Sequence, residues 1–170
     1  MAAENTGLRV NSARPDLTVA IMTKTGLTED VLRTLVHRFY DKVRADAIIG
    51  PIFEMRVTDW ASHLERMVAF WSSVALKTGR YHGHPVPVHT SLPIDQPHFD
   101  RWLALFRECA HEICAPAGAA LVIDRAERIA GALHLAVQDT NGGATSGRKP
   151  HALDSKHGDE YVKRAVHDRA

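Results

Sequence analysis

The sequence predicts an all-α protein. Apolar residues recur at helical spacing in four separate stretches. Capping residues, glycines and prolines punctuate those stretches at their ends. Nowhere do apolar and polar residues alternate as they do in a half-buried strand.

The elements follow in order. Residues 1–25 read as a loosely ordered extension. Thr28 caps a helix whose first turn carries Glu29 and Asp30, acids that complement the helix dipole. Leu32, Leu35, Val36, Phe39 and Val43 then recur on one face, and the helix is expected to end near Asp46. Ile48-Ile49-Gly50-Pro51-Ile52-Phe53 forms an apolar corner, with Pro51 suited to open a short helix. Thr58-Asp59 caps the next helix, with Trp60, Leu64, Met67, Val68 and Trp71 as its stripe and Thr78-Gly79 as its exit. Prolines are dense between Arg80 and Gln96, which leaves room for one turn around Val88 to Leu92. Pro97 opens a helix carrying Phe99, Trp102, Leu103, Phe106, Ala110 and Ile113, and Ala115-Pro116-Ala117-Gly118 breaks it. The last helix spans Leu121 to Val137. Residues 26–138 thus form one domain, and the change to Thr-Asn-Gly-Gly after Gln138 marks 139–170 as a flexible tail.

Composition narrows the function. A chain of 170 residues, 45% apolar, can bury one real core. A formal net charge of +1 calls for neither nucleic acid nor an anionic membrane. Spanning a bilayer takes roughly 20 residues of apolar helix. No apolar run in the chain approaches that length, and Met1 to Asp16 holds no apolar signal core, so a cytoplasmic location is expected. Cys109 and Cys114 lie five positions apart on a helix and point in different directions. The eleven histidines are the outlier, and four of them (His37, His151, His157 and His167) are assigned no role. Phosphate-binding glycine loops, nucleophile elbows and flavin or nicotinamide motifs are absent.

The remaining histidines carry chemistry. His89 follows a proline-stiffened segment that would hold an imidazole as an axial ligand for haem iron, with His82, His84 and His98 as competitors. A loop histidine in a histidine-rich chain would look the same. His63 stands on an apolar helix face, as a satisfied core histidine also does. Arg66, one turn later, is placed to pair with a carboxylate at a pocket rim or simply to face solvent. The Tyr40 hydroxyl and the Trp102 indole are inward polar groups that need partners. Phe53 would wedge against a flat ring or plug the core, and Tyr81-x-Gly83-x-Pro85 would support the pocket from below. Cys109-x-His111-x-x-Cys114 lacks a shared face and a fourth ligand for zinc, and His82-x-His84 lacks acidic neighbours. No Cys-x-x-Cys-His is present to link haem covalently.

Taken together, these motifs resemble a known family. Phe39-Tyr40-Asp41-Lys42-Val43-Arg44-Ala45-Asp46 with Gly50-Pro51-Ile52-Phe53 resembles the second helix and corner of truncated haemoglobins. Trp60-x-x-His63 with Phe70-Trp71, Tyr81-x-Gly83-x-Pro85-x-x-x-His89-x-x-Leu92 and Arg101-Trp102-Leu103-Ala104-Leu105-Phe106 resemble the distal helix, the proximal segment and the helix after it. The set is most similar to group III, over about residues 27–137. The resemblance implies a two-over-two globin fold around haem b (iron protoporphyrin IX), with His89 as the proximal iron ligand. Tyr40, His63 and Trp102 would line the distal side, while Phe53, Arg66, Phe70 and Tyr81 would contact the cofactor. It implies binding of the gaseous ligands O2, NO and CO, held for ligand chemistry or detoxification rather than bulk transport. A nitric oxide dioxygenase or peroxidase-like enzyme served by an external reductase is the alternative, and a small helical protein with structural metal or none is a further one. The chain is taken as a monomer or weak homodimer.

Overall fold

The computed structural model describes residues 10–145. These residues form seven helices: α1 (Pro15–Thr25), α2 (Glu29–Ala45), α3 (Gly50–Arg56), α4 (Trp60–Leu76), α5 (Pro85–Thr90), α6 (Gln96–Ile113) and α7 (Pro116–Thr145). No strand occurs among the described residues. Helices α2 and α4 pack as one pair and α6 and α7 as another, with α2 against α6 and α4 against α7 closing the two-over-two core. No described helix is long and apolar enough to cross a membrane.

Local chemistry sets the helix ends. The Thr28 hydroxyl accepts from the Val31 amide at 3.2 Å, and Asp59 accepts from the Ser62 amide at 3.1 Å. Both expected caps are therefore in place. The buried face of α2 is Leu32, Leu35, Val36, Phe39, Tyr40 and Val43, as its spacing requires. Helix α4 ends at Leu76, before the glycine that marked its exit. Lys77 takes the left-handed conformation (φ 61°) and Gly79 repeats it (φ 72°) within the exit loop. A left-handed residue just past the last turn is a common way to end a helix.

Four expectations need correction. Residues 15–25 form α1 rather than a loose extension, because Pro15 is well suited to start a helix. A long-range bond then pins that helix: the buried Thr18 hydroxyl donates to the Leu76 carbonyl at 2.7 Å. The short helix in the proline-rich stretch begins at Pro85, not Val88, since prolines in a first turn forfeit only amides that have no helical partner. Helix α7 begins at Pro116, so the break after α6 is only Cys114 and Ala115. Gly118 lies inside α7, where a Cβ would come within 2.9 Å of the Leu27 side chain and the Thr25 carbonyl. That glycine is therefore a close-approach residue between α7 and the α1–α2 turn. Finally, α7 continues past Gln138 to Thr145, and the rest of the expected tail lies outside the described residues.

The Thr18 bond generates a test. Thr18→Val keeps the shape but leaves the Leu76 carbonyl buried without its partner. Unfolding by urea should show a loss of about 1–2 kcal/mol, with the slope unchanged.

Candidate functional site

Helices α2 to α7 enclose a cavity of about 520 Å³. All eight residues singled out in the sequence line it: Tyr40 from α2, Phe53 from α3, His63, Arg66 and Phe70 from α4, Tyr81 from the linker, His89 from α5 and Trp102 from α6. Ile129 and Leu133 of α7, which sequence reasoning did not single out for the site, also line the cavity, as do Leu92, Ile94 and Phe99. Their helical spacing marks an inward face but does not say whether that face meets protein or a pocket.

His89 is fixed by its own short helix. Its Nδ1 lies 2.7 Å from the Pro85 carbonyl oxygen. A carbonyl oxygen can only accept, so Nδ1 carries the proton. Burial pushes its pKa below the ordinary value, against the opposing effect of that hydrogen bond. The neutral ring then has its Nε2 lone pair left over as a ligand. Among the competitors, His84 and His98 also border the cavity, but His98 is committed to the Asp95 carboxylate at 2.6 Å. His82 does not line it and is exposed.

His63 complements it. Its Nε2 is buried and has no hydrogen-bond partner. Burial lowers its pKa, and the charges of Arg66 and His89 lower it further. The ring stands edge-on to Tyr40, with centroids 5.1 Å apart, and to Trp60 at 5.6 Å. Tyr40 is 5% exposed, and burial, then Tyr81, drives its hydroxyl pKa well above the ordinary value. It therefore remains a protonated donor at any physiological pH.

The walls are aromatic. Phe39 meets Tyr40, Trp102 and Phe106 edge-on at 5.0, 5.2 and 5.3 Å. Phe53 lies 5.8 Å from Tyr40, and Phe70 lies 5.1 Å from Tyr81. The Tyr81 amide donates to the Ser73 hydroxyl at 2.8 Å, and a Cβ at Gly83 would collide with the Tyr81 hydroxyl. Gly83 thus lets the tyrosine fold back over its own chain. Arg66 is exposed on the rim, near enough for its charge to act on Asp59, His63 and Tyr81. At the rejected zinc motif, Cys109 and Cys114 are buried whereas His111 is exposed, and burial pushes the Cys114 thiol up to about 11.

A two-over-two helical core around one largely apolar cavity, with His63 and His89 among its lining residues, defines a shortened globin. Its relatives are of the same kind. The family profile of bacterial-like globins matches residues 20–134. The group 3 truncated hemoglobin ctb of Campylobacter jejuni is 31% identical over 109 residues, covering 61% of this chain and 86% of that protein. The crystal structure of the group III truncated hemoglobin from Campylobacter jejuni superposes with a TM-score of 0.62 at 30% identity, covering 65% of this chain and 91% of that one. The chain belongs to the bacterial-like globins and, among them, to the group III truncated haemoglobins.

The family implies haem, and the residues present fit it. The volume suits a large flat ligand and the lining is mostly apolar. One imidazole has its Nδ1 engaged elsewhere, and another has a buried nitrogen with no protein partner.

Proposed function

We propose that this protein binds haem b through His89 and holds a small diatomic ligand, O2, NO or CO, against Tyr40, His63 and Trp102. The observation that carries this reading is the pairing of His89, fixed by the Pro85 carbonyl, with the unpartnered Nε2 of His63 in the same cavity. Haem, when bound, would supply an iron able to bind the diatomic molecule. The protein supplies everything else. Phe53 and Phe70 would pack on the cofactor and keep water out, Tyr81 would support it, and Arg66 at the rim would offer a cation to a propionate.

Three donors decide what the pocket does with its ligand. The Tyr40 hydroxyl stays protonated, the Trp102 indole N–H can only donate, and the neutral His63 ring can do either. One aligned bond contributes on the order of 1 kcal/mol, or about fivefold in affinity. Two or three together slow release strongly, which suits ligand chemistry or detoxification and not unloading. Electrons for such chemistry would come from a separate reductase, because the sequence holds no flavin or nicotinamide motif.

One observation favours a redox reading beside this. The lowered pKa of His63 leaves it neutral near pH 7, able to take a proton from a peroxide and return it to a leaving oxygen.

Three outcomes are expected. Purified protein should show a Soret band that His89→Ala abolishes and added imidazole restores; a folded, colourless protein given haem would end the proposal. Tyr40→Phe and Trp102→Phe should each speed dioxygen release by about fivefold in stopped-flow measurements. On the redox reading, His63→Ala should cut peroxide turnover by about a hundredfold, and turnover equal to that of free haem in the unaltered protein would remove it.

A further inference from the structure

Asp46 stands apart from the other acids that form ion pairs. Its side chain is 6% exposed, whereas those facing Arg33, Arg44, Arg107 and Arg128 are between 46% and 59% exposed. Its Oδ1 accepts from the Ile48 and Ile49 amides at 2.9 and 3.0 Å, and its Oδ2 accepts from Arg101 Nε at 2.6 Å. Burial alone would raise its pKa, but those two amides and the guanidinium outweigh burial and lower it. The carboxylate therefore stays charged with every contact engaged.

What it joins matters more than its strength. Ile49, held by one of those amides, is buried and lines the cavity. Helix α3 follows directly and carries Phe53 against the Tyr40 ring. On the other side, Arg101 immediately precedes Trp102, which lines the same cavity and meets Phe39 edge-on. One carboxylate thus ties the corner that backs Tyr40 to the turn of α6 that presents Trp102. A hydrogen bond weakens steeply with misalignment, so small slips between these two walls would be felt by anything bridging them.

We infer that the Asp46–Arg101 ion pair is a positioning device for the distal side of the pocket, setting the Trp102 indole relative to the Tyr40 hydroxyl. The inference rests on the haem reading above. Neither residue lines the cavity, so neither would touch the bound ligand.

The test uses the full chain loaded with haem, with carbon monoxide and dioxygen as probes. Arg101→Gln and Asp46→Asn should shift or split the C–O stretching band of the ferrous carbonyl form and speed dioxygen release by about two- to fivefold. Arg101→Lys should return both toward the wild-type values. Arg107→Gln breaks an exposed pair on the same helix and should move neither. Folded Arg101→Gln and Asp46→Asn proteins with a wild-type band and wild-type release overturn the inference, as does an equal response in Arg107→Gln. If Arg101→Gln does not fold, Asp46→Asn decides alone, because its side-chain oxygen can still accept from the Ile48 and Ile49 amides. A wild-type protein without a Soret band overturns the haem reading and this inference with it. A haem-loaded wild type with silent variants overturns the inference only.

Discussion

Everything in this fold is arranged around keeping one apolar space open inside a small helical core. The cavity measures about 520 Å³. Side chains normally close-pack, and a space of that size, open at its rim, forgoes the contacts that a filled core would make. Such a space suits a large, mostly apolar group. The family supplies that group as haem, and the elements are cut to suit. Helix α3 is seven residues long and α5 six, because each turns a corner of the cavity instead of bridging it.

Rigid walls follow from the same constraint. Trp102, Phe106 and Trp71 stack in sequence, with interplanar angles of 8° and 21° and centroid separations of 5.3 and 4.6 Å. Phe39 inserts edge-on beside them. Aromatic packing of this kind adds about 0.5–1.5 kcal/mol per pair beyond area burial. It also leaves few alternative rotamers for a wall that must not collapse. Polar bonds hold what the rings cannot. Ser72, fully buried, engages Glu29 at 2.5 Å and Thr78 at 2.6 Å, and Glu29 reaches Arg80 at 2.9 Å. This network ties the start of α2 to the linker that leads toward His89.

The parts of this arrangement written in short-range pattern were legible in the sequence. Thr28 and Asp59 announce their helices because a cap is a contact across three residues, and the α2 stripe repeats at the helical period. Helix α1 was not legible because its anchor, Thr18, bonds a carbonyl 58 positions away and its apolar face is weak. Gly118 looked like a breaker because nothing local shows that Leu27 lies against it. At the site, residue types and spacing together with the family resemblance picked out eight cavity-lining side chains, but by residue pattern alone His89 stood level with His82, His84 and His98. Burial, with Nδ1 held by a backbone carbonyl within its own short helix, separates His89 from them, and both depend on α5 starting at Pro85.

The electrostatics of the pocket tie its two sides together. A buried imidazole and a buried phenol both resist charge, since each would lose its hydration without a compensating partner. The result is opposite in sign and equal in consequence: His63 and His89 are pushed toward the neutral ring, and Tyr40 is held as the neutral phenol. Neutral His89 is the form that can donate a lone pair to a metal, and neutral Tyr40 is the form that can donate a hydrogen bond to a ligand. The cation at the rim, Arg66, reinforces the shift at His63. The apolar lining that shapes the cavity thus also sets the protonation state of His63, His89 and Tyr40 around it, so the shape of the cavity and its chemistry have a single cause.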